Sequence, residues 1–216
     1  MTLWDSIWEK RDGYYKGPEY KLVWKTVLDD NFDDGDISDW VDLTGQNCLS
    51  LSGSIYHSSP YSLEVKNGYP YAATYVYKRL TDTLTNTFHM VGWGYIPVTD
   101  TALISLWNEE GHGYSFEADS QYKNIRIVKR TIGGFYQELA KVSADIADAQ
   151  WIKLEVTSNE GDMTLVVTQG SNTWTATAFD DEFTGFERFY VKRSDDTPLY
   201  YDDLFVEGYV LVEEWI

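Results

Sequence analysis

The chain has 216 residues, 43% apolar and 16% aromatic, with 35 acidic against 17 basic side chains and a net charge of −18. So many aromatics exclude extended disorder, which goes with chains too apolar-poor to offset the entropy of folding. The charge excludes nucleic acid and anionic membrane surfaces, both of which attract clustered Lys and Arg. Cys48, the one cysteine, excludes an intrachain disulfide framework and thiolate-cluster metal sites.

In chain order, Leu3, Trp4, Ile7 and Trp8 stand at helical spacing behind Thr2, which predicts a short amphipathic helix within an N-terminal appendage of residues 1–20. Charges lie in MTLWDSIWEKRDG where a signal peptide carries its apolar stretch, so the chain is expected in an extracellular or virion-associated setting without a visible leader. No apolar run approaches the roughly 20 residues of a membrane span, and membrane insertion is not expected. From residue 21 the pattern changes to short β-rich runs: Lys21–Leu28, Cys48–Leu51, Ser62–Val65, Ala72–Leu80, Thr87–Ile96, Ala102–Trp107 and Gly113–Asp119. The series continues with Asn124–Lys129, Phe135–Ala140, Trp151–Ser158, Met163–Gln169, Thr173–Ala178, Phe186–Val191 and Leu199–Val206. Between them stand turn signals such as Asn67-Gly68, Gly133-Gly134 and Glu160-Gly161-Asp162. Only Val142–Ala149 reads as a helical turn or loop. Strands spaced near ten residues predict an all-β, antiparallel sandwich over residues 21–208, followed by an apolar tail at 209–216.

Seven carboxylates fall between Asp29 and Asp42 with no basic residue among them. Such crowding needs solvation or a cation, and hard oxygen donors select calcium. An EF-hand is excluded, because counting from Asp30 puts Phe32 and Val41 at ligand positions. Asp202-Asp203, framed by Tyr200-Tyr201 and Leu204-Phe205-Val206, is the candidate that would complete the site from afar, since adjacent strand residues face opposite ways and the inward acid needs a partner. A purely solvated acidic loop is the alternative.

Phe32-Asp33-Asp34-Gly35-Asp36-Ile37-Ser38-Asp39-Trp40 resembles the opening of many carbohydrate-binding modules. His57-Ser58-Ser59-Pro60-Tyr61-Ser62-Leu63-Glu64-Val65 is similar to their second-strand phrase, and Trp151-Ile152-Lys153-Leu154-Glu155-Val156 to a later strand of laminin-G-like and concanavalin A-like domains. Tyr200-Tyr201-Asp202-Asp203-Leu204-Phe205-Val206 is similar to their closing strand. The resemblance spans about residues 28 to 207 and implies a concanavalin A-like jelly roll, often with a structural calcium between first and last strands. Here that role would fall on Asp33 or Asp34 and on Asp202 or Asp203.

The same superfamily contains glycoside hydrolases, which need paired carboxylates. Glu117-Ala118-Asp119 approaches their phrase, but Ser120, Gln121 and Tyr122 follow where the second Glu belongs. A polar outward strand face is the expected reading there, and no catalytic constellation is expected. Aromatic side chains can instead stack on sugar rings while acids and amides take the hydroxyls. Tyr75 and Tyr77 share one side of a strand, Trp93 and Tyr95 one side of the next, and Trp107, Asn108 and Tyr114 flank the Gly111–Gly113 turn. These seven are the candidate ligand-binding residues, although such runs also build cores and dimer faces. The expected function is a non-catalytic, lectin-like domain that binds a glycan or cell-surface polysaccharide. The alternative is a virion or surface-assembly component, such as an adhesin or receptor-binding protein, that associates through its Trp-bearing ends. A glycosidase or lyase ranks third.

Overall fold

The computed structural model describes residues 19–58, 60–66, 74–131, 135–193 and 197–214. Fourteen strands follow one another: β1 (Glu19–Asp30), β2 (Trp40–Asp42), β3 (Leu49–Ser52), β4 (Ser62–Val65), β5 (Thr74–Ile96), β6 (Thr101–Trp107) and β7 (Gly113–Asp119). Then come β8 (Asn124–Arg130), β9 (Tyr136–Ser143), β10 (Gln150–Asn159), β11 (Asp162–Gln169), β12 (Asn172–Phe179), β13 (Phe186–Arg193) and β14 (Leu199–Glu214). No helix occurs among the described residues.

The strands form two layers joined through β5. Its C-terminal half pairs with β10 on one side and β14 on the other, extending through β11 and β12 and through β1, β4 and β3. Its N-terminal half pairs with β13 and β2, and β13 leads on through β6, β7 and β8 to β9. The register between β5 and β13 jumps from Arg79↔Arg188 to Leu84↔Phe186, where β5 passes from one layer to the other. Alternation then sorts the side chains. Met90, Leu154, Val156, Leu165, Leu204 and Val206 of the first layer meet Val76, Ile104, Phe116, Ile127, Phe189 and Val191 of the second in one core. Glycine lets the layers approach: a Cβ on Gly92 would stand 3.0 Å from Leu204 and 3.1 Å from Ile104.

Several expectations are corrected here. Of the expected strands Ala72–Leu80 and Thr87–Ile96, the described part from Thr74 onward is one continuous strand, because Thr81–Asn86 carries the crossover between layers and contains no turn. Residues 144–149 form no helix; β9 runs to Ser143 and an irregular segment follows. Residues 209–214 are not a free tail but the end of β14, paired with β1 from Tyr209↔Trp24 to Glu214↔Glu19. The helix expected around Leu3–Trp8 lies outside the described residues.

Candidate functional site

The outward face of the second layer is recessed at its middle. Leu103, Ser105, Ser115 and Glu117 point away from the core, yet none is more than 2% exposed. Strand register sets the side chains in rows, since residues opposite each other share a face. One row reads Tyr75, Lys192, Leu103, Glu117, Arg126. The next reads Tyr77, Tyr190, Ser105, Ser115, Val128, and a third reads Arg79, Arg188, Trp107, Gly113, Arg130, Tyr136.

Two kinds of chemistry occupy this grid. On the β5–β13–β6 side lie aromatic rings: Tyr190 is 5.2 Å from Tyr77 and 5.1 Å from Trp107, with Tyr75 6.4 Å beyond Trp107. Cations stand over two of them, Arg188 over Tyr77 and Lys192 over Tyr75. Burial pushes the Tyr190 phenol upward, so it stays protonated and able to donate. On the β7–β8 side runs a polar ladder. Ser105 and Ser115 share a hydrogen bond, Arg130 Nε donates to Ser115, and the Glu117 carboxylate is clamped by Arg130 at 2.5 Å and Arg126 at 2.6 Å. Arg126 also reaches Asp119 at 3.5 Å, and Asp119 accepts from Thr101. Glu117, Arg126, Arg130, Lys192, Thr101 and Tyr136, with Val128, line a cavity of about 240 Å³.

The seven candidate ligand residues divide into four groups. Tyr75, Tyr77 and Trp107 meet on this recessed face. Trp93 and Tyr95 point outward from the other layer. There His57 stacks on Trp93 at 3.7 Å and 18°, occupying a ring face that a sugar would need, and Tyr95 packs edge-on against Tyr200. Asn108 closes a turn, its Oδ1 accepting the His112 amide. Tyr114 belongs to the core: it is 1% exposed, packs on Phe186, and its hydroxyl donates to Asp180. Its parity on β7 places it with Phe116 and Ala118 rather than with Glu117. Sequence reasoning missed Tyr190, Arg126, Arg130 and Lys192. Arg126 and Arg130 do stand four apart on one strand, hence on one face, which was a usable signal.

The acidic opening forms a second cavity, of about 270 Å³, lined by Asp29, Asp30, Asp33, Asp34, Asp36 and Asp39 with Asn31, Ser38 and Lys78. Asp30, its buried member, accepts from Trp40 Nε1 at 2.8 Å and from Lys78 at 2.9 Å. Lys78 also pairs with Asp39; burial pulls its ammonium down, and the hydrogen bonds it donates to the two carboxylates outweigh that and raise it. The exposed acids cap local turns, Asp34 accepting the Asp36 amide and Asp36 the Ser38 amide.

Asp202 and Asp203 do different work. β14 bulges between Asp202 and Phe205, with Asp203 in the left-handed region at φ 47°. Asp202 is wholly buried and accepts the backbone amides of His57 and Ser58 and that of Asp203. Burial pushes its carboxyl up against the pull of those bonds. Asp203 holds His57 Nδ1 at 2.7 Å and Ser58 Oγ at 2.5 Å. β1 does pair with β14, but Asp202 and Asp203 do not line the acidic cavity. Among the described residues, no three His, Cys, Asp or Glu side chains converge on a point that could hold a metal ion.

This architecture is a jelly-roll β-sandwich. It is similar to the carbohydrate-binding module CBM66 from Bacillus subtilis, with a TM-score of 0.57 at 11% identity over 80% of this chain and 98% of that one. Domain 4 of the Geobacillus stearothermophilus extracellular arabinanase AbnA, solved with arabinotriose, matches with a TM-score of 0.57 at 15% identity over 88% and 95%. The exoplasmic/lumenal domain of VIP36, in its Ca²⁺/Man3GlcNAc-bound form, matches with a TM-score of 0.52 at 12% identity over 83% and 91%. No protein-family model and no curated protein matches the sequence.

Proposed function

We propose that the protein is a non-catalytic glycan-binding domain and that its binding site is the recessed face of the second layer. The observation that carries this reading is the convergence of Tyr75, Tyr77, Tyr190 and Trp107 beside a pre-built polar ladder. Rings offer platforms for the C–H faces of a sugar, and ordered charged groups beside them fix its hydroxyls. Glu117 supports binding over catalysis: both of its oxygens are held by guanidinium groups, so neither is free to engage a glycosidic oxygen. The test is a glycan array probed with the wild type and with Trp107→Ala. Binding by the wild type and its loss in the variant, with an unchanged circular dichroism spectrum, supports the reading. Binding that survives Trp107→Ala, or turnover of a bound polysaccharide that disappears on Glu117→Gln, overturns it.

Calcium enters as a proposal confined to the acidic opening, where Asp33 and Asp34 keep exposed carboxylates of the hard-oxygen kind. Asp202 and Asp203 are engaged with residues 57 and 58 and stand outside that proposal. A second reading, association into a larger assembly, has its own observation. Leu22, Trp24, Tyr209 and Leu211 form an exposed apolar patch on the β1–β14 ribbon, and β1 pairs only with β14 among the described residues. Light scattering of wild type and Leu22→Glu separates a self-associating chain, whose mass falls in the variant, from a monomer, whose mass does not change.

A further inference from the structure

Charge on this molecule is unevenly placed. With 35 acids against 17 bases, a surface site should be negative on average. The cavity of the recessed face reverses this, with three cations (Arg126, Arg130 and Lys192) against the single carboxylate of Glu117. Nor is the carboxylate free, because Oε1 faces Arg130 and Oε2 faces Arg126. The donors, by contrast, are in surplus. Lys192 has no ion-pair partner among the described residues and lies with its ammonium 5.4 Å from the Tyr75 ring centroid. Arg126 Nε is buried without a hydrogen-bond partner, as are Trp107 Nε1 and Arg188 Nε two rows away. On the flanks Asn124 Oδ1 and Glu187 Oε2 are unpaired acceptors, but neither residue lines the cavity.

A buried donor left unpaired is costly, so such an array favours a ligand that supplies acceptors. Neutral sugar hydroxyls both give and take hydrogen bonds, and the acceptor they would use here is already clamped. A carboxylate or sulfate only accepts, carries the complementary charge, and makes shorter, stronger bonds to guanidinium and ammonium groups. Lys192 and Arg126 stand in one row, three strands apart, or roughly 14 Å between backbones at about 4.8 Å per strand, a gap that two long side chains can close on one anionic group. Tyr75 sits next to Lys192 in the same row, so a ring carrying that group has an aromatic neighbour.

From this we infer that the recessed face selects an anionic glycan, with the acidic group of a uronic acid or a sulfated sugar held between Lys192 and Arg126 and its ring against the aromatic side of the grid. The inference rests on the glycan-binding reading and narrows it to a ligand class. The remaining surface repels polyanions, so attraction must come from this face.

Two matched pairs test it by titration calorimetry: oligogalacturonate against its methyl ester, and dextran sulfate against dextran, with polyphosphate as an anion lacking a sugar ring. The expected result is that the acidic member of one pair binds about tenfold tighter than its neutral twin, and that its affinity falls about tenfold as salt rises from roughly 0.05 to 0.5 M. The pair that responds tells carboxylate from sulfate. Lys192→Met should lose most of that preference, and because Lys192 makes no ion pair among the described residues the variant should fold normally. Arg126→Gln, which also disturbs Glu117, provides the second reading with its fold checked by circular dichroism. If a neutral twin binds as tightly and Lys192→Met is indifferent, the anionic assignment falls while the glycan site stands. If polyphosphate binds as well as the acidic glycan, or if no member of either pair binds, the inference falls, and the array with Trp107→Ala decides separately on the broader function.

Discussion

Two cavities of similar size carry opposite charge. The acidic opening, of about 270 Å³, sets six aspartates against Lys78, while the recessed face, of about 240 Å³, sets three cations against Glu117. In the opening the acids are neighbours in sequence, mostly exposed, and occupied with turns one or two residues away. On the recessed face the charges come from three strands, Glu117 is buried and the cations half-buried, and Glu117, Arg126 and Arg130 bind one another while Lys192 stands apart. Charge density in a sequence therefore points to solvated turns as readily as to a site. A site is built where register brings distant side chains into one desolvated row.

The comparison breaks most sharply on stability. Glu117→Ala removes the anion between Arg126 and Arg130; leaving half-buried Arg130 without an ion pair and Arg126 with only its 3.5 Å contact to Asp119 should cost about 3 kcal/mol, or roughly 6 to 12 °C in Tm for a domain of this size. Asp34→Ala in the opening should stay within about 0.5 kcal/mol, because its charge is exposed and its bond local. Thermal melts of the two variants side by side check this; equal losses would contradict the difference drawn between the regions.

A third cluster sharpens the point through pH. Asp180 accepts from Lys129 at 2.7 Å and from the Tyr114 hydroxyl. Burial pushes this carboxyl up, but the Lys129 and Tyr114 hydrogen bonds outweigh it and hold the group below the usual carboxylate range. A carboxylate lowered in the native state stabilises it above the unfolded value near pH 4, and that stability fades as pH falls through the lowered native value. Asp180→Asn should therefore lower Tm at pH 7 by a few degrees, for about 1 kcal/mol of charge-assisted hydrogen bonding. The gap from wild type should close on acidification below about pH 4. A gap that stays constant with pH would assign the loss to packing.

The smallest expected effect belongs to calcium. Ligands that are already exposed and solvated leave little to gain, so millimolar calcium should raise Tm by no more than about 3 °C, equivalent to about 1 kcal/mol of linkage. The double change Asp33→Ala with Asp34→Ala should remove the response, and Asp203→Ala should retain it. A response that needs Asp203 would restore the ligand set expected from the sequence.

Much of the fold was legible because strand periodicity is local. Trp151–Ser158 and Met163–Gln169 show their alternation in the sequence and differ from β10 and β11 only at the ends. The crossover of β5 was not legible, since Thr81–Asn86 contains polar residues that read equally as a turn or as an exposed strand. β2 was missed because three residues carry no period. At the site, parity put Tyr75 and Tyr77 on one side of their strand without telling an outward face from a core face, and only the lateral order β5–β13–β6–β7–β8 unites them with Trp107 and adds Tyr190 and the cations. That order is a long-range property, decided by which strands meet and in what register. The same gap explains Asp202: the sequence signalled an inward acid in need of a partner, and the partner is the backbone of His57 and Ser58.

The central claim, that the recessed face binds the glycan, is tested most directly by the indole N–H signals of the nine tryptophans in a ¹⁵N-labelled sample titrated with a glycan that scores on the array. Trp107 Nε1, buried and unpartnered on that face, should shift first and furthest, while Trp93 and Trp151 on the opposite layer stay in place. Movement of Trp93 and Trp151 with Trp107 unmoved would put the ligand on the other layer and contradict the account.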